Sequence, residues 1–524
     1  MEKKTGFFLK RPVLSITLWC AVVAATVFRA LRGYWVFYDP NIAFLGGSTG
    51  VFVLSLIVIA LLIALLALRI YAPDKCEKYR KACTITTIIC FSLTALMFVA
   101  DAVIIIAGGS ETMGAFWLVL KKDLPPVIGV SAVLILLLYW QVLRAKGKAV
   151  LAVCMAACIG FSALWMIFPL KSYKIVSDPV VMDTGESYAV VFATNDTGIG
   201  YVRYTYEGEE HTVYAQKSGR RIADRRIFSI EVPYEHLKNN SYEIGSVRVI
   251  EQYAYGSRLG KDVNAGPYTL QVNESDTQSY LCISDWHSHL KQAKQAIDTL
   301  GAYDAVIMLG DPNTGMDYEE QAIEFVVAFG GDITHGAMPV IYVRGNHETR
   351  GAFAALFPEY IGYEQLYYTV RRGEYSFVIL DSGEDKEDAH IEYGGLDEYA
   401  KNRAAMLDWL KTKPPVSDKT MVLSHAWQIS EPEPKVSRAA WDSLQQMGAR
   451  FMISGHTHTC GFLEEAKVGE TDYTKAYPSI STYIDGGYKD GVYTASKLTL
   501  SPAGVQFAAA NDRGETVLEK NLPW

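Results

Sequence analysis

Cysteine is too scarce where a stapled extracellular fold would need it. Of the 8 cysteines in 524 residues, Cys20, Cys76, Cys83, Cys90, Cys154 and Cys158 lie in or beside apolar segments, and only Cys282 and Cys460 follow residue 171. That usage excludes a disulfide framework, and the two later cysteines read as small buried side chains. A basic excess is missing as well. The formal net charge is -8 and Lys and Arg form no stripe, so nucleic acid is excluded as a specific partner. Long apolar runs are absent after about residue 171 but dominate before it, and the chain divides there into two compositions.

Crossing roughly 30 Å of hydrocarbon takes about 20 apolar residues in a helix. Five stretches meet that demand, at approximately 12–34, 51–71, 83–107, 125–143 and 149–170. Lys and Arg gather in the tail and in alternate loops, at Lys3, Lys4, Lys10 and Arg11, at Lys75, Lys78, Arg80 and Lys81, and at Arg144, Lys146 and Lys148. By the positive-inside rule the N-terminus is then cytoplasmic and everything after about residue 171 lies outside the cytoplasm. The expected architecture is an N-terminal α-helical membrane bundle of about five spans over residues 1–171, with the lipid bilayer as its partner. Asp101 lies near the outer end of the third stretch and reads as a wet, interfacial carboxylate.

From about Ser177 to Val272 the pattern changes to short runs rich in Val, Tyr, Ile and Thr, such as Tyr188-Ala-Val-Val-Phe-Ala and Ile227-Phe-Ser-Ile-Glu-Val, separated by Gly, Asn and Asp. Such runs predict an antiparallel β-sandwich linker over residues 172–275. The stretch Tyr188 to Tyr204, with Asn195-Asp-Thr-Gly-Ile-Gly at its middle, resembles the fibronectin-type domain that precedes the catalytic domain in purple acid phosphatases.

Residues 276–524 repeat one arrangement, an apolar β-type run with a metal-ligand type at its C-terminal edge. Ser279-Tyr-Leu-Cys-Ile-Ser leads to Asp285-Trp-His287, Tyr303-Asp-Ala-Val-Ile-Met-Leu to Gly310-Asp311, and Pro339-Val-Ile-Tyr-Val to Gly345-Asn346-His347-Glu348. Lys419-Thr-Met-Val-Leu-Ser leads to His425, and Arg450-Phe-Met-Ile-Ser to Gly455-His456-Thr-His458. Helical stretches such as Ala293 to Leu300 and Arg403 to Leu410 alternate with these runs, which predicts an α/β domain with its site at the carboxyl ends of the strands. His, Asp and Asn offer nitrogen and oxygen donors to hard or borderline divalent cations, without the thiolates of a structural zinc site. A second Gly-Asp pair, Gly331-Asp332, lacks a clear strand leading into it, so Asp311 is preferred.

The ordered set Asp285-x-His287, Gly310-Asp311, Gly345-Asn346-His347-Glu348, His425 and Gly455-His456-x-His458 resembles the calcineurin-like metallophosphoesterase family. The resemblance implies a two-sheet β-sandwich flanked by helices and two divalent metal ions, Mn, Fe or Zn. Asp285, His287, Asp311 and His458 would hold one ion, and Asp311, Asn346, His425 and His456 the other, with Asp311 as the bridge. His347 would act as outer-sphere acid or phosphate-binding group, oriented by Glu348, while Asn346 and Arg350 would contact the substrate. The implied reaction is hydrolysis of a phosphomonoester or phosphodiester by in-line attack of a metal-bound hydroxide. Thr314 departs from the family, which often has an acidic or amide residue three places after the Asp. A metal-binding receptor or transport-associated protein without turnover is the alternative, and the oligomeric state is left open.

Overall fold

The computed structural model describes residues 172–524 apart from 254–255, 414–416, 418 and 464–479, together with scattered residues between 57 and 93 and residue 156. It separates into two units, residues 1–172 with Tyr253–Gly256, and the remainder. In the first unit the helix Pro73–Lys78 is 6 residues long and carries Asp74, Lys75 and Lys78. Among the described residues no helix is long and apolar enough to cross a membrane, against the 18 or more residues that a span requires. The expected membrane bundle is corrected on that ground. Most of the five stretches, Asp101 included, lie outside the described residues.

The second unit is built on two sheets. Strands β1 (Val180–Asp183), β2 (Tyr188–Tyr206), β3 (Glu209–Tyr214), β4 (Arg225–Val232), β5 (Ser241–Tyr253) and β6 (Gly256–Thr269) come first in the chain. They are followed by β7 (Gln278–Ile283), β8 (Ala305–Met308) and β9 (Pro339–Tyr342), and, at the C-terminus, by β15 (Val492–Ser501), β16 (Gly504–Asn511) and β17 (Thr516–Leu522). The first sheet runs β17-β16-β15-β7-β8-β9-β1-β2-β5-β6. The second runs β10 (Tyr368–Arg372), β11 (Tyr375–Leu380), β12 (Thr420–Ser424), β13 (Phe451–Ser454) and β14 (Ser481–Ile484).

The strands expected of the linker over residues 172–275 exist, and β1 pairs in parallel with β9, Val181 opposite Pro339 and Met182 opposite Val340, so the sheet that carries β7, β8 and β9 continues into them. The joint is β2. Residues 188–193 of this 19-residue strand pair with β1 and β4, whereas residues 198–204 pair with β3 and β5, and the register shifts between Ala193 and Gly198. The Asn195-Asp-Thr-Gly segment is that bulge, which bends the strand and increases its twist.

Burial explains the apolar runs. Tyr280, Leu281, Cys282 and Ile283 of β7 are all buried, as are Val306, Ile307 and Met308 of β8 and Val340 and Ile341 of β9. A strand covered on both faces reads as continuous apolar sequence instead of an alternating one, and each such side chain contributes about 1.5–3 kcal/mol relative to exposure. Tyr280 of the first sheet meets Phe377 of the second edge to face, ring centroids 5.0 Å apart, inside one core shared by both sheets. Helices α1 (Tyr399–Thr412) and α2 (Pro434–Gln446) cover the outer face of the second sheet with Met406, Leu410, Trp441 and Leu444.

Candidate metal centre

All five motifs leave their strands at the same edge, and the backbone there is unusual. Asp285, His287, Ser288, Asp311, His456 and His458 have φ of 49°, 37°, 68°, 57°, 69° and 52°, in the left-handed region that L-residues avoid at roughly 1–2 kcal/mol each. Such a cluster re-aims side chains that a straight strand would send to opposite faces, and strain of this kind concentrates at functional sites. Gly310 and Gly345 allow the crowding. A Cβ on Gly345 would collide with Asp311, and one on Gly310 would collide with Gly345.

The two aspartates are arranged alike. The His456 N–H donates to Asp285 Oδ2 at 2.8 Å and the His347 N–H donates to Asp311 Oδ1 at 2.9 Å. The sister oxygens are left for the site. Asp285 Oδ1 lies 3.3 Å from His458 Nε2 and 4.0 Å from both His287 Nε2 and His425 Nε2. Asp311 Oδ2 lies 3.2 Å from His425 Nε2 and 3.8 Å from both His287 Nε2 and His347 Nε2. Asp285 Oδ1 and His287 Nδ1 are buried without a hydrogen-bond partner, an arrangement that a buried polar atom tolerates only with a compensating ligand.

The imidazoles are turned by groups outside the cluster. His425 Nδ1 meets the Leu309 carbonyl at 2.6 Å, His458 Nδ1 the Tyr488 carbonyl at 2.6 Å and His347 Nδ1 the Thr314 carbonyl at 3.0 Å. Each therefore donates from Nδ1 to that carbonyl and presents Nε2 to the centre. His456 is reversed, with Nε2 3.3 Å from Glu431. The Asn346 amide lies 3.1 Å from both His456 Nδ1 and His425 Nε2, and its outer atom lies 3.1 Å from a terminal nitrogen of Arg350. Outward partners of this kind fix ring orientation and ligand basicity in metal sites.

Three sets of donors are close enough to share a cation: Asp285, His287 and His458; Asp311, His425 and His456; and His287, Asp311 and His347. The first two fall within the two four-residue sets expected from the sequence, and all seven expected ligands lie in one cluster. The orphaned Asp285 oxygen and the mixed nitrogen and oxygen donors fit divalent cations.

Two sequence expectations change. Glu348 does not touch His347. Its Oε2 accepts the Asp311 N–H at 3.0 Å, and its Oε1 accepts the Gly345 N–H at 2.9 Å and the Tyr342 hydroxyl at 2.7 Å, so it braces the backbone beneath Asp311, and the Thr314 carbonyl orients His347 instead. Arg350 is committed to carboxylates, with Nε 2.7 Å from Glu384 Oε1 and a terminal nitrogen 2.7 Å from Glu384 Oε2 and 3.1 Å from Asp385. It backs Asn346 more than it faces a substrate. Asp332 is remote from the cluster in role, since it lies in the helix Phe329–Thr334, ion-paired to Lys294. Sequence reading missed Glu431, Glu384 and the three carbonyls, because a backbone oxygen leaves no residue signature.

Charge is tightly coupled here. Burial would raise Asp311, but His425, His347 and His287 outweigh it and hold the carboxyl well below its usual range. Burial would lower His425, yet Asp311 and Asp285 reverse that and bring it up to about 10. Glu348 is pushed up to about 7, first by burial and then by the Asp311 charge. His287 is lowered, chiefly by burial.

Residues 279–460 match the family model described as calcineurin-like phosphoesterase. No curated protein matches the chain. Among solved structures, the chain is similar to the structure of PhoD, at 11% identity over 67% of this chain and 94% of that one, with a TM-score of 0.39. GAP50, titled the anchor in the inner membrane complex of Plasmodium, is 13% identical over 48% of this chain and 89% of its own, with a TM-score of 0.34. Yfce, a phosphoesterase from E. coli, is 11% identical over 46% and 98%, with a TM-score of 0.23.

Proposed function

We propose that the chain is a binuclear metal-dependent phosphoesterase that hydrolyses phosphomonoesters or phosphodiesters. The observation that carries this is the pair of freed carboxylate oxygens, Asp285 Oδ1 and Asp311 Oδ2, ringed by imidazole nitrogens, those of His458 and His425 having their far sides already engaged. Asp285, His287 and His458 would hold one cation, Asn346, His425 and His456 the other, and Asp311 would join both. Bound divalent cations at such a pair supply charge neutralisation for a phosphoryl group and acidify water.

The protein's own groups do the rest. His347, with Nδ1 engaged by Thr314 and Nε2 turned to the centre, delivers a proton at Nε2 to the departing oxygen of the ester. Glu348 keeps Asp311 from swinging by holding its N–H. Arg350, fixed by Glu384 and Asp385, backs the amide of Asn346. Placement at a membrane, with the domain outside the cytoplasm and envelope or lipid-linked esters as substrates, is part of the proposal. It is supported by the apolar composition of residues 1–171 and the distribution of Lys and Arg there, and a reporter fused at the C-terminus tests it.

The full-length protein assayed on aryl phosphomonoesters and phosphodiesters, with Mn, Zn or chelator, tests the reaction. Metal-dependent turnover should fall by about 10²–10⁴ in His347→Ala and vanish in Asp311→Ala. Turnover that survives in Asp311→Ala contradicts the proposal, and bound metal without turnover on any ester favours the metal-binding receptor.

A further inference from the structure

One imidazole of the centre lacks the outward hydrogen bond that orients the others. The rings of His347, His425 and His458 are each turned by a backbone carbonyl at Nδ1, and that of His456 by Glu431 at Nε2. His287 Nδ1 is buried without a partner. Its ring is stacked on His458, with centroids 5.1 Å apart and planes 6° apart, and stands edge-on to His347 at 4.9 Å. Those rings limit where His287 can go, but no polar group holds it there. Its aim therefore depends on how firmly its backbone is set.

That backbone is strained. Asp285, His287 and Ser288 have φ of 49°, 37° and 68°, and such a run persists only where its surroundings over-determine it. Three N–H groups supply part of the constraint, Asp285 donating to the Gly310 carbonyl at 3.0 Å, His287 to Asp311 at 3.2 Å and Ser288 to Pro312 at 2.9 Å. Trp286 supplies another. It is the largest fully buried side chain among the described residues, its ring lies 5.6 Å from that of Phe329, and its indole N–H donates to the Phe325 carbonyl at 3.1 Å.

The acceptor is unusual. Phe325 lies in a π-helical turn, Ile323–Ala328, set between the α-helical segments Glu319–Ala322 and Phe329–Thr334. A π-turn breaks the regular ladder of an α-helix and is found mostly at functional sites. This helix is also pressed onto the first sheet, since a Cβ on Gly330 would crowd Val180 of β1 and Met308 of β8, and one on Gly331 would collide with the Asp178 carbonyl. The indole is thus tied to a carbonyl that has little room to move.

We propose that Trp286 is the positioning residue of the first cation set, anchored through its indole to the π-helical turn so that the chain supplies the aim of His287 that no hydrogen bond to the ring provides. It acts through His287 and touches no substrate. The proposal rests on the two-cation reading of the site.

The test titrates Mn into full-length wild type, Trp286→Phe, His287→Asn and the double variant by calorimetry. Trp286→Phe keeps an aromatic ring in the core and loses only the N–H and part of the bulk. The expected result is that one of the two Mn ions binds about tenfold more weakly and the other within about twofold of wild type. The double variant should show no loss beyond that of His287→Asn, because two residues that act through one contact are not additive. Trp286→Leu carries the same expectation where the Phe variant does not fold. Both ions weakened alike, neither weakened, or a further tenfold loss in the His287→Asn background would each overturn the proposal by marking Trp286 as a core residue and nothing more. Wild type that binds no Mn contradicts the two-cation reading and overturns the proposal with it, whereas any of the preceding results with two Mn in wild type overturns the role of Trp286 alone.

Discussion

The two sheets contribute differently to the centre. Loops after β7, β8 and β9 of the first sheet supply both carboxylates, the Asn346 amide, His287 and His347, whereas loops after β12 and β13 of the second supply only imidazoles, His425, His456 and His458. The first half is braced locally, by Glu348 beneath Asp311 and by Thr314 against His347. The second half is braced across the gap. His425 is turned by the Leu309 carbonyl at the end of β8, and His458 by the Tyr488 carbonyl that leads into β15. Asp311 and His347 can thus be placed by the first half alone, whereas His425 and His458 are oriented only once the sheets have docked, and so is Asp285, which accepts the His456 N–H.

The largest effect that would break this comparison is removal of the residue common to both halves. Asp311→Ala should reduce turnover at least 10³-fold, read as kcat on an aryl phosphate with saturating metal, and should leave the fold intact by circular dichroism. Separating the sheets comes next. Phe377→Ala deletes the partner of Tyr280 across the interface and should cost about 3–5 kcal/mol in denaturant unfolding. It should weaken metal binding by His425 and His458 variants less than by wild type, since those contacts are already lost.

A smaller effect is expected where a single carboxylate orients one ring. Glu431→Ala should lower metal affinity about 10–100-fold, read by competition with a chromophoric chelator, without a comparable loss of stability. Protons report the same coupling. Without metal, His425 holds its proton up to about 10, so loading Mn at pH 8 should release it, as measured by calorimetry in buffers of different ionisation enthalpy. His425→Asn should lose that release. The smallest effect belongs to Tyr488→Phe, because His458 is held by the backbone of residue 488, and turnover there should change less than threefold.

This division also explains what was legible in the sequence. Asp285, His287, Asp311, Asn346, His425, His456 and His458 could be read because each follows an apolar run that had to be a buried strand, and the structure gathers all seven. Glu348 could be found but not understood. Its spacing suggests a partner for the neighbouring His347, while the 3-10 turn His347–Thr349 directs it inward to the N–H of Asp311. Glu431 and the Leu309 and Tyr488 carbonyls could not be found, because they reach their rings over long sequence separations that no local pattern records. The strands of residues 180–269 were legible from short runs rich in Val, Tyr, Ile and Thr between Gly, Asn and Asp. Their continuity with β9 was not, since parallel pairing between distant segments leaves no turn signal.

The central claim is that two cations share Asp311 between the acidic and the imidazole halves. Metal content per chain, measured by mass spectrometry on full-length protein dialysed against Mn or Zn, tests it most directly. The account predicts about two ions for wild type, about one for His425→Ala with His456→Ala, and turnover only in the first. Two ions in that double variant, or full turnover with a single ion, would contradict it.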